Sequence, residues 1–395
     1  MRIQTLTHGL LGSLVLASAV FGAACEKKSD ETVTKTTEPS PVDTSTRTNA
    51  GAVQKSDPKV PGIEMKDPLK AAHADMKKVL DELGSLGGTP LSTLTAAEAR
   101  KQPTPADAVK SLLMKEKKST APLEMAKVDS KKIPGAAGQI DVRLYTPKPS
   151  AGLGGKDGGP LPIVVYYHGG GFVIADLETY DASARALAKE SGAIVVSADY
   201  RHAPENKFPA AHDDAFAAYQ WVLANAGSFN GDGKRVAVAG ESAGGNLAIN
   251  VSIMARDKGV QMPLHQVLVY PMAQTTMMTD SYLRWEKAVP LDKASMSWFF
   301  QNTIKSDADK ADPRLDLLHA NLKGLPKTTV ILAEIDPLNS DGLMLVKALD
   351  DAKVPVDRKE YEGVTHEFFG MGAAVGDAKD AESYAGGRLK NALLK

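Results

Sequence analysis

A serine lies between two glycines in one short segment of the chain, at residues 240–244. The segment reads Gly240-Glu241-Ser242-Ala243-Gly244. A strand-like run at 235–239, apolar after Arg235, precedes it, and a helix-like stretch at 246–254 follows it. A serine on a sharp strand-to-helix turn needs glycine on both sides, because a Cβ there would collide with the crossing strand and helix. This context favours a nucleophilic Ser242 on a strained turn over an ordinary glycine-rich turn.

Two later residues could activate Ser242. A serine hydroxyl is a poor nucleophile unless a base takes its proton and a third group orients that base. Asp336 follows the β-branched run at 328–333, and the proline behind it ends the strand and leaves the carboxylate at the rim. His366 lies on the loop after an alternating strand at 356–361. The chain order serine, aspartate, histidine is that of α/β-hydrolases rather than of other folds with these three side chains.

A glycine triplet supplies the third requirement, backbone donors for a tetrahedral oxyanion. The triplet is Gly169-Gly170-Gly171. It follows His168 in a loop directly behind the run at 163–167, which is predicted to be a buried strand. A glycine triplet alone is more often a flexible turn, but its place behind a strand and ahead of the serine favours an oxyanion loop. The predicted donors are the N–H groups of Gly170, Gly171 and Ala243. We expect His168 to hold this loop by a hydrogen bond rather than to transfer a proton.

The apolar runs around these motifs predict the sheet that positions them. Residues 193–198 and 266–270 are continuously apolar, as is typical of central parallel strands covered on both faces. Residues 142–145 alternate and suit an antiparallel edge. Asp67 can cap a helix that starts at Pro68 and carries apolar residues at helical spacing as far as Leu83.

These motifs resemble the bacterial hormone-sensitive-lipase family (family IV) of α/β-hydrolases. The likeness extends to the segment Asp199–Glu205, the acid motif at 336–338, the histidine motif at 361–366 and helices near 67–90, and it covers roughly residues 62–395. Two positions depart from the family pattern. Glu241 stands where many members carry aspartate, and Glu367 where many carry glycine. Fine specificity therefore cannot be carried over from the family.

The resemblance implies an α/β fold with a mostly parallel eight-stranded sheet flanked by helices. A helical cap is expected from about 62–120 and about 272–318. It also implies a serine carboxylesterase that forms an acyl-enzyme through Ser242, Asp336 and His366, with a small-molecule ester as substrate and no cofactor or metal. Apolar cap residues, although each is more often core packing, together favour short- to medium-chain acyl or aryl groups. They are Met277, Met278, Trp285, Trp298, Phe299 and Phe300.

Other functions share these motifs and stay open at this point. The same triad serves a cell-envelope or sugar O-deacetylase and an amide or drug hydrolase, since loops build the leaving-group pocket. A non-catalytic binding module is a further alternative, because the plant gibberellin receptor resembles this family but lacks the histidine that His366 supplies here. No spacing among four further histidines indicates a metal site, and we expect them to be structural or solvent-facing. They are His202, His212, His265 and His319.

The amino-terminal residues predict export and anchoring. An apolar run at 10–24 ends in small residues and is shorter than the ~20 residues that cross a bilayer, so residues 1–24 are predicted to be a signal peptide. Cys25, the only cysteine of the chain, resembles a lipidated lipobox cysteine, although an incidental cysteine beside an ordinary cleavage site is the alternative. Residues 25–61 are polar and predict a disordered tether. We therefore expect a membrane-anchored lipoprotein facing the periplasm or on the outer membrane, and otherwise a periplasmic or secreted protein.

The overall charge limits the partners. The chain has 47 Lys and Arg against 48 Asp and Glu, a net charge of −1. Such a balance leaves no electrostatic footprint for nucleic acid. Membrane contact is therefore expected only through the lipidated amino terminus, and no sequence feature specifies an oligomeric state.

Overall fold

The computed structural model describes residues 63–149 and 159–394 of the chain. The predicted signal peptide (1–24), Cys25 and the predicted tether (25–61) lie outside these residues. Residues 150–158 also lie outside them. Within the described ranges, every helix is too short or too polar to span a bilayer.

Eight strands form one sheet in the order β1-β2-β4-β3-β5-β6-β7-β8. They are β1 (Lys127–Gly135), β2 (Gly138–Thr146), β3 (Leu161–Tyr167), β4 (Ile194–Asp199), β5 (Gly231–Glu241), β6 (Gln266–Val269), β7 (Thr328–Ile335) and β8 (Val356–Thr365). The pairs β1/β2 and β2/β4 are antiparallel, and all the others are parallel. The expected eight-stranded, mostly parallel sheet is confirmed.

Burial explains why these segments form strands. In β3 every residue after the first is buried, and β6 is buried throughout, because helices cover both faces of the sheet. The sequence predicts the alternating segment 142–145 at the edge of the sheet. It lies in β2, which is the second strand, because β1 pairs with β2 and forms the edge itself. The edge strand β1 is rich in exposed lysine, which discourages pairing with other chains and weakens its hydrophobic pattern. Strand β8, which contains the alternating segment 356–361, forms the other edge of the sheet.

Eleven α-helices connect and cover these strands in the described residues. They are α1 (Pro68–Ala71), α2 (Ala74–Ser85), α3 (Ala96–Ala99), α4 (Pro105–Lys115), α5 (Asp181–Ser191), α6 (Ala210–Asn225), α7 (Ala243–Asp257), α8 (Asp280–Arg284), α9 (Lys293–Thr303), α10 (Asn339–Asp351) and α11 (Gly376–Leu393). One core lies between the sheet and α6, α7 and α10. A second core lies on the other face, against α2, α4, α5 and α11. Residues of β3 alternate between the two cores, Val165 facing the first and Tyr166 the second.

The helix predicted to start at Pro68 is interrupted. Asp67 caps α1 as expected, because its side chain accepts the N–H of Leu69 at 3.1 Å. The chain is then extended at Ala72, and the N–H of His73 donates to the carbonyl of Gly363 at 2.8 Å rather than to a helical turn. This contact with Gly363 of β8 divides the predicted helix into α1 and α2.

The two segments expected to form the cap touch each other. The indole N–H of Trp298 in α9 donates to the carbonyl of Leu94, which lies between α2 and α3, at 2.9 Å. Trp298, Phe299 and Phe300 are all buried. The cap limits of about 62–120 and 272–318 stay a prediction, but residues of both segments line one cavity, described below.

Candidate active site

Ser242 lies on the turn between β5 and α7 with a strained backbone. Its φ of 55° and ψ of −118° fall in a region that non-glycine residues rarely adopt. A Cβ on Gly240 would lie 2.1 Å from the carbonyl oxygen of Gly244, and a Cβ on Gly244 would lie 2.0 Å from that of Tyr167 in β3. Both glycines are therefore required by backbone contacts, which is the steric reason given by the sequence.

Ser242, His366 and Asp336 form a continuous hydrogen-bonded chain. His366 Nδ1 lies 2.7 Å from Asp336 Oδ2, and because a carboxylate only accepts, Nδ1 carries the hydrogen. His366 Nε2 is then free to accept from Ser242 Oγ at 2.9 Å. The three residues directly follow β5, β8 and β7, so the carboxyl edge of the parallel sheet brings them together. The Asp336 carboxylate is fully buried beneath the rim and also accepts the N–H of Leu338 at 2.8 Å.

The loop after β3 turns its backbone towards Ser242. Gly170 and Gly171 have φ values of 95° and 59°, and a Cβ on Gly171 would lie 2.2 Å from the Phe299 ring. Among the described residues, the N–H groups of Gly170, Gly171 and Ala243 donate to no protein acceptor. All three residues line the same cavity as Ser242. The structure thus brings the three predicted donors to one cavity with their hydrogen-bonding capacity free.

His168 and Tyr200 hold the start of this loop. His168 is fully buried, and its Nδ1 donates to the carbonyl of Gly169 at 2.8 Å. The Tyr200 hydroxyl donates to the carbonyls of His168 and Gly169 at 2.9 and 3.1 Å, and its ring stacks on His168 at 4.5 Å between centroids. His168 therefore makes the loop hydrogen bond that the sequence predicts.

Glu241 is buried directly beside the nucleophile. Tyr166 donates to one of its carboxylate oxygens at 2.5 Å, and Tyr270 donates to the other. Burial raises the pKa of Glu241 to about 7, and the charge of Glu367 adds to this shift, whereas the two tyrosines oppose it. The centroids of the Tyr270 and His366 rings lie 4.4 Å apart, so the hydrogen-bonded group of Glu241, Tyr166 and Tyr270 packs against the imidazole.

Glu367 lies beside His366, a placement that the sequence does not reveal. Its carboxylate lies 3.8 Å from His366 Nε2, accepts the Tyr180 hydroxyl at 2.7 Å and lines the cavity. Its φ of 69° is a conformation that favours glycine, which accounts for the glycine of the resembled family at this position. The sequence signal was present, since Glu367 directly follows His366, but only the fold turns its side chain towards the imidazole.

The net charge around His366 favours its protonated form. Burial alone would lower the pKa of His366, but Asp336, followed by Glu367 and Glu241, outweighs burial and raises that pKa above its ordinary value. Burial likewise raises the pKa of Glu367, and His366 partly opposes the shift. The imidazole is therefore a stronger base here than an isolated buried histidine.

A cavity of about 670 Å³ opens onto Ser242 and His366. Its wall away from the triad is mainly apolar and comes from both predicted cap segments. The apolar lining residues include Leu83, Leu91, Met272, Leu291, Met296, Phe299 and Phe300. Such a volume is typical of a small-molecule site.

The four further histidines named in the sequence analysis have different environments. His212 and His265 are buried and hydrogen-bond to Asn246 and Thr329, whereas His319 is exposed and pairs with Asp316. These three are structural or solvent-facing in the described structure. His202 differs from them, because it converges with His168 and Asp199 in a group able to hold a metal ion. The sequence predicts His202 to be structural or solvent-facing like the other three, since its spacing from His168 carries no metal-site signal.

Comparisons with known proteins agree with this geometry. The model of the α/β-hydrolase-fold family Abhydrolase_3 matches residues 164–370, just over half of the chain. The carboxylic ester hydrolase LipN of Mycobacterium tuberculosis is 40% identical over 256 residues, which are 62% of this chain and 66% of that protein. An ethyl acetate hydrolase of Pseudomonas putida is 31% identical over 74% of this chain and 88% of its own length. The structure of a hyperthermophilic esterase from Pyrobaculum calidifontis superimposes with a TM-score of 0.74 at 34% identity, covering 82% of this chain and all of that one.

The charge of Glu367 should set the pH at which His366 loses its proton. In Glu367→Gln the negative charge beside Nε2 is removed, so the pKa of His366 should fall. The pH at which Ser242 reacts at half its maximal rate with an organophosphonate should move to lower pH by the same amount. A pH series of labelling rates, with the imidazole resonances of His366 followed by NMR, measures both values.

Glu362→Gln is the matched control, because it removes the same charge from an exposed position in β8 of the same motif. It should leave both midpoints in place. An unchanged midpoint in Glu367→Gln would contradict the electrostatic role of Glu367.

Proposed function

The chain belongs to the α/β-hydrolase-fold family and is a carboxylic ester hydrolase, and we propose that it cleaves uncharged short- to medium-chain acyl or aryl esters through an acyl-enzyme on Ser242. One observation carries this proposal. The unbroken chain from Asp336 through His366 to Ser242 meets three free backbone N–H groups in a single cavity. Nucleophile, base and oxyanion donors are the complete set that acyl transfer needs.

Acylation follows from the observed contacts. His366 Nε2 takes the Ser242 proton as Oγ attacks the ester carbonyl, and the oxyanion accepts hydrogen bonds from Gly170, Gly171 and Ala243. Each such donor contributes about 3–4 kcal/mol to transition-state stabilisation in comparable sites. Asp336 keeps the proton on Nδ1 and stabilises the imidazolium. The intermediate then expels the alcohol, which takes the proton from Nε2.

Deacylation repeats these steps with water in place of serine. His366 removes a proton from the water as its oxygen attacks the acyl carbon, and Ser242 leaves with the proton from Nε2. Only neutral imidazole can begin either half-reaction, so turnover should fall as pH drops through the pKa of His366. Because that pKa is raised, the loss begins at higher pH than for an ordinary histidine near ~6.5.

The cavity supports the choice of substrate. Its apolar wall from the predicted cap segments favours an acyl or aryl group over a charged one, because burying an unpaired charge there is costly. Met296 and Phe299 of α9 are almost fully buried, so the cavity is bounded on that side. A bounded volume suits short and medium chains better than a long lipid chain.

We also propose that the mature protein is anchored to a membrane by acyl chains on Cys25. The support is in the sequence alone: a signal-like apolar run, the only cysteine at its end, and a polar segment behind it. An anchor of this kind would place the enzyme outside the cytoplasm, on the periplasmic side or on the outer membrane.

Ser242→Ala should reduce turnover by about 10⁴–10⁶-fold and abolish labelling by an organophosphonate, because the covalent centre is removed. Mass spectrometry of the labelled protein and steady-state kinetics measure the two effects. Ser252→Ala, a buried serine of α7 outside the cavity, should keep both. Labelling of Ser242→Ala at normal stoichiometry would overturn the assignment.

Butyryl and hexanoyl p-nitrophenyl esters should be hydrolysed with higher kcat/KM than the palmitoyl ester, because the cavity is bounded by α9. Truncating its wall in Met296→Ala should move the optimum to a longer chain, whereas Met344→Ala, at an exposed methionine, should not. Acetylated sugars and amides belong in the same panel, and preference for either would replace the simple ester as substrate. Strong activation by a triglyceride interface would contradict the bounded cavity.

Cys25→Ser should release the protein into the aqueous phase of a detergent separation with unchanged specific activity. The reason is that the anchor is lost while the hydrolase domain is intact. The protein without the substitution should partition into the detergent phase, with Cys25 at its mature amino terminus. Complete recovery of this protein in the aqueous phase, with another amino terminus, would show a plain exported esterase instead.

A further inference from the structure

Three metal-ligating side chains converge beside the oxyanion loop. His168 follows β3, Asp199 ends β4, and His202 lies three residues further on. Asp199 Oδ1 lies 3.4 Å from His168 Nε2 and 3.7 Å from His202 Nε2, and the three ligand atoms lie within 4.8 Å of one another. None of them belongs to the Ser242, His366 and Asp336 chain.

The neutral form of His168 leaves no proton at the centre of this cluster. His168 Nδ1 contacts the Gly169 carbonyl at 2.8 Å, which can only accept, so Nδ1 carries the hydrogen of the neutral ring. In this form Nε2 presents a lone pair to Asp199 Oδ1 at 3.4 Å, a contact that a cation between the two atoms makes favourable. His202 Nε2 is buried and has no hydrogen-bond partner among the described residues. The third group is a carboxylate. Three electron-pair donors therefore face one point, and a positive centre there would satisfy all of them.

The two separations that involve Asp199 fit a small divalent cation. Bonds of 2.0–2.2 Å from zinc to nitrogen and oxygen place tetrahedral ligand atoms about 3.3–3.5 Å apart. The observed 3.4 and 3.7 Å are close to this spacing. The Nδ1 hydrogen bond of His168 to a backbone carbonyl is the arrangement that orients metal-bound histidines through their second nitrogen.

We propose that His168, Asp199 and His202 bind one divalent first-row cation of the zinc class. Two imidazoles and one carboxylate suit such borderline cations and leave a fourth position open. Asp199 and His202 line the large cavity, so water or a ligand there can take that position. The cation would lie beside the loop that carries Gly170 and Gly171, and His168 would link the two.

Titration of the untagged, chelator-treated full-length protein with Zn²⁺ tests the site. Calorimetry should give one ion per chain, and Co²⁺ in its place should give the visible absorption of a low-coordinate nitrogen and oxygen site. His202→Asn should weaken Zn²⁺ binding at least tenfold and remove the Co²⁺ bands. His319→Asn is the matched control, because it removes an exposed imidazole that also pairs with a carboxylate, and it should keep both signals.

A second measurement on the unmodified protein does not depend on the variant folding. In imidazole nitrogen NMR spectra, Zn²⁺ should shift the Nε2 resonances of His168 and His202 and leave those of His319 in place. Binding that is equal in His202→Asn and the unmodified protein, or no shift at these two histidines, would overturn the proposal.

Discussion

The close approach of three backbone segments at the turn after β5 is the constraint on which the site depends. Gly240, Gly244 and the Tyr167 carbonyl lie so close together that a single Cβ at either glycine would overlap backbone atoms. This packing forces Ser242 into a conformation that costs about 1–3 kcal/mol, and the surrounding sheet must hold it there. Because β3 is the strand that crosses the turn, the loop that follows β3 is necessarily close to the serine. The nucleophile and the oxyanion loop are thus positioned by one packing contact.

The charges of neighbouring carboxylates also shape the site, because they raise the pKa of His366 whereas burial lowers it. His366 and Glu241 are buried and Glu367 is half-buried, and burial disfavours the charged form of each. The tyrosine hydroxyls of Tyr166 and Tyr270 donate to Glu241, and that of Tyr180 donates to Glu367. These hydrogen bonds offset part of the free-energy cost of burying the two carboxylates. Their negative field in turn stabilises the imidazolium that forms when Ser242 gives up its proton. The glutamates therefore adjust the basicity of His366 without touching Asp336.

The sequence predicts the features that need particular residue types at short spacing, and it misses those that arise from distant contacts. The turn at 240–244, the loop at 168–171 and the buried strands are local patterns, and the structure has all of them. The break at Ala72 depends on a hydrogen bond from His73 to Gly363, which no local pattern encodes. Strand β1 lacks an apolar pattern because it is an exposed edge. The approach of Glu367 to His366 Nε2 depends on a left-handed backbone at Glu367, which its residue type does not favour.

The order of the strands explains why polar groups accumulate on one side of the serine. In the sheet β4 neighbours β3, and β3 neighbours β5, so the residues after β4 lie next to the loop after β3. Tyr200 and His202 follow β4 and both contact His168, one by stacking and one edge-on. His168 in turn holds the Gly169 carbonyl at the base of the oxyanion loop. A group that alters the charge or orientation of His168 must therefore act on the backbone that leads to Gly170, although it touches neither the nucleophile nor its base.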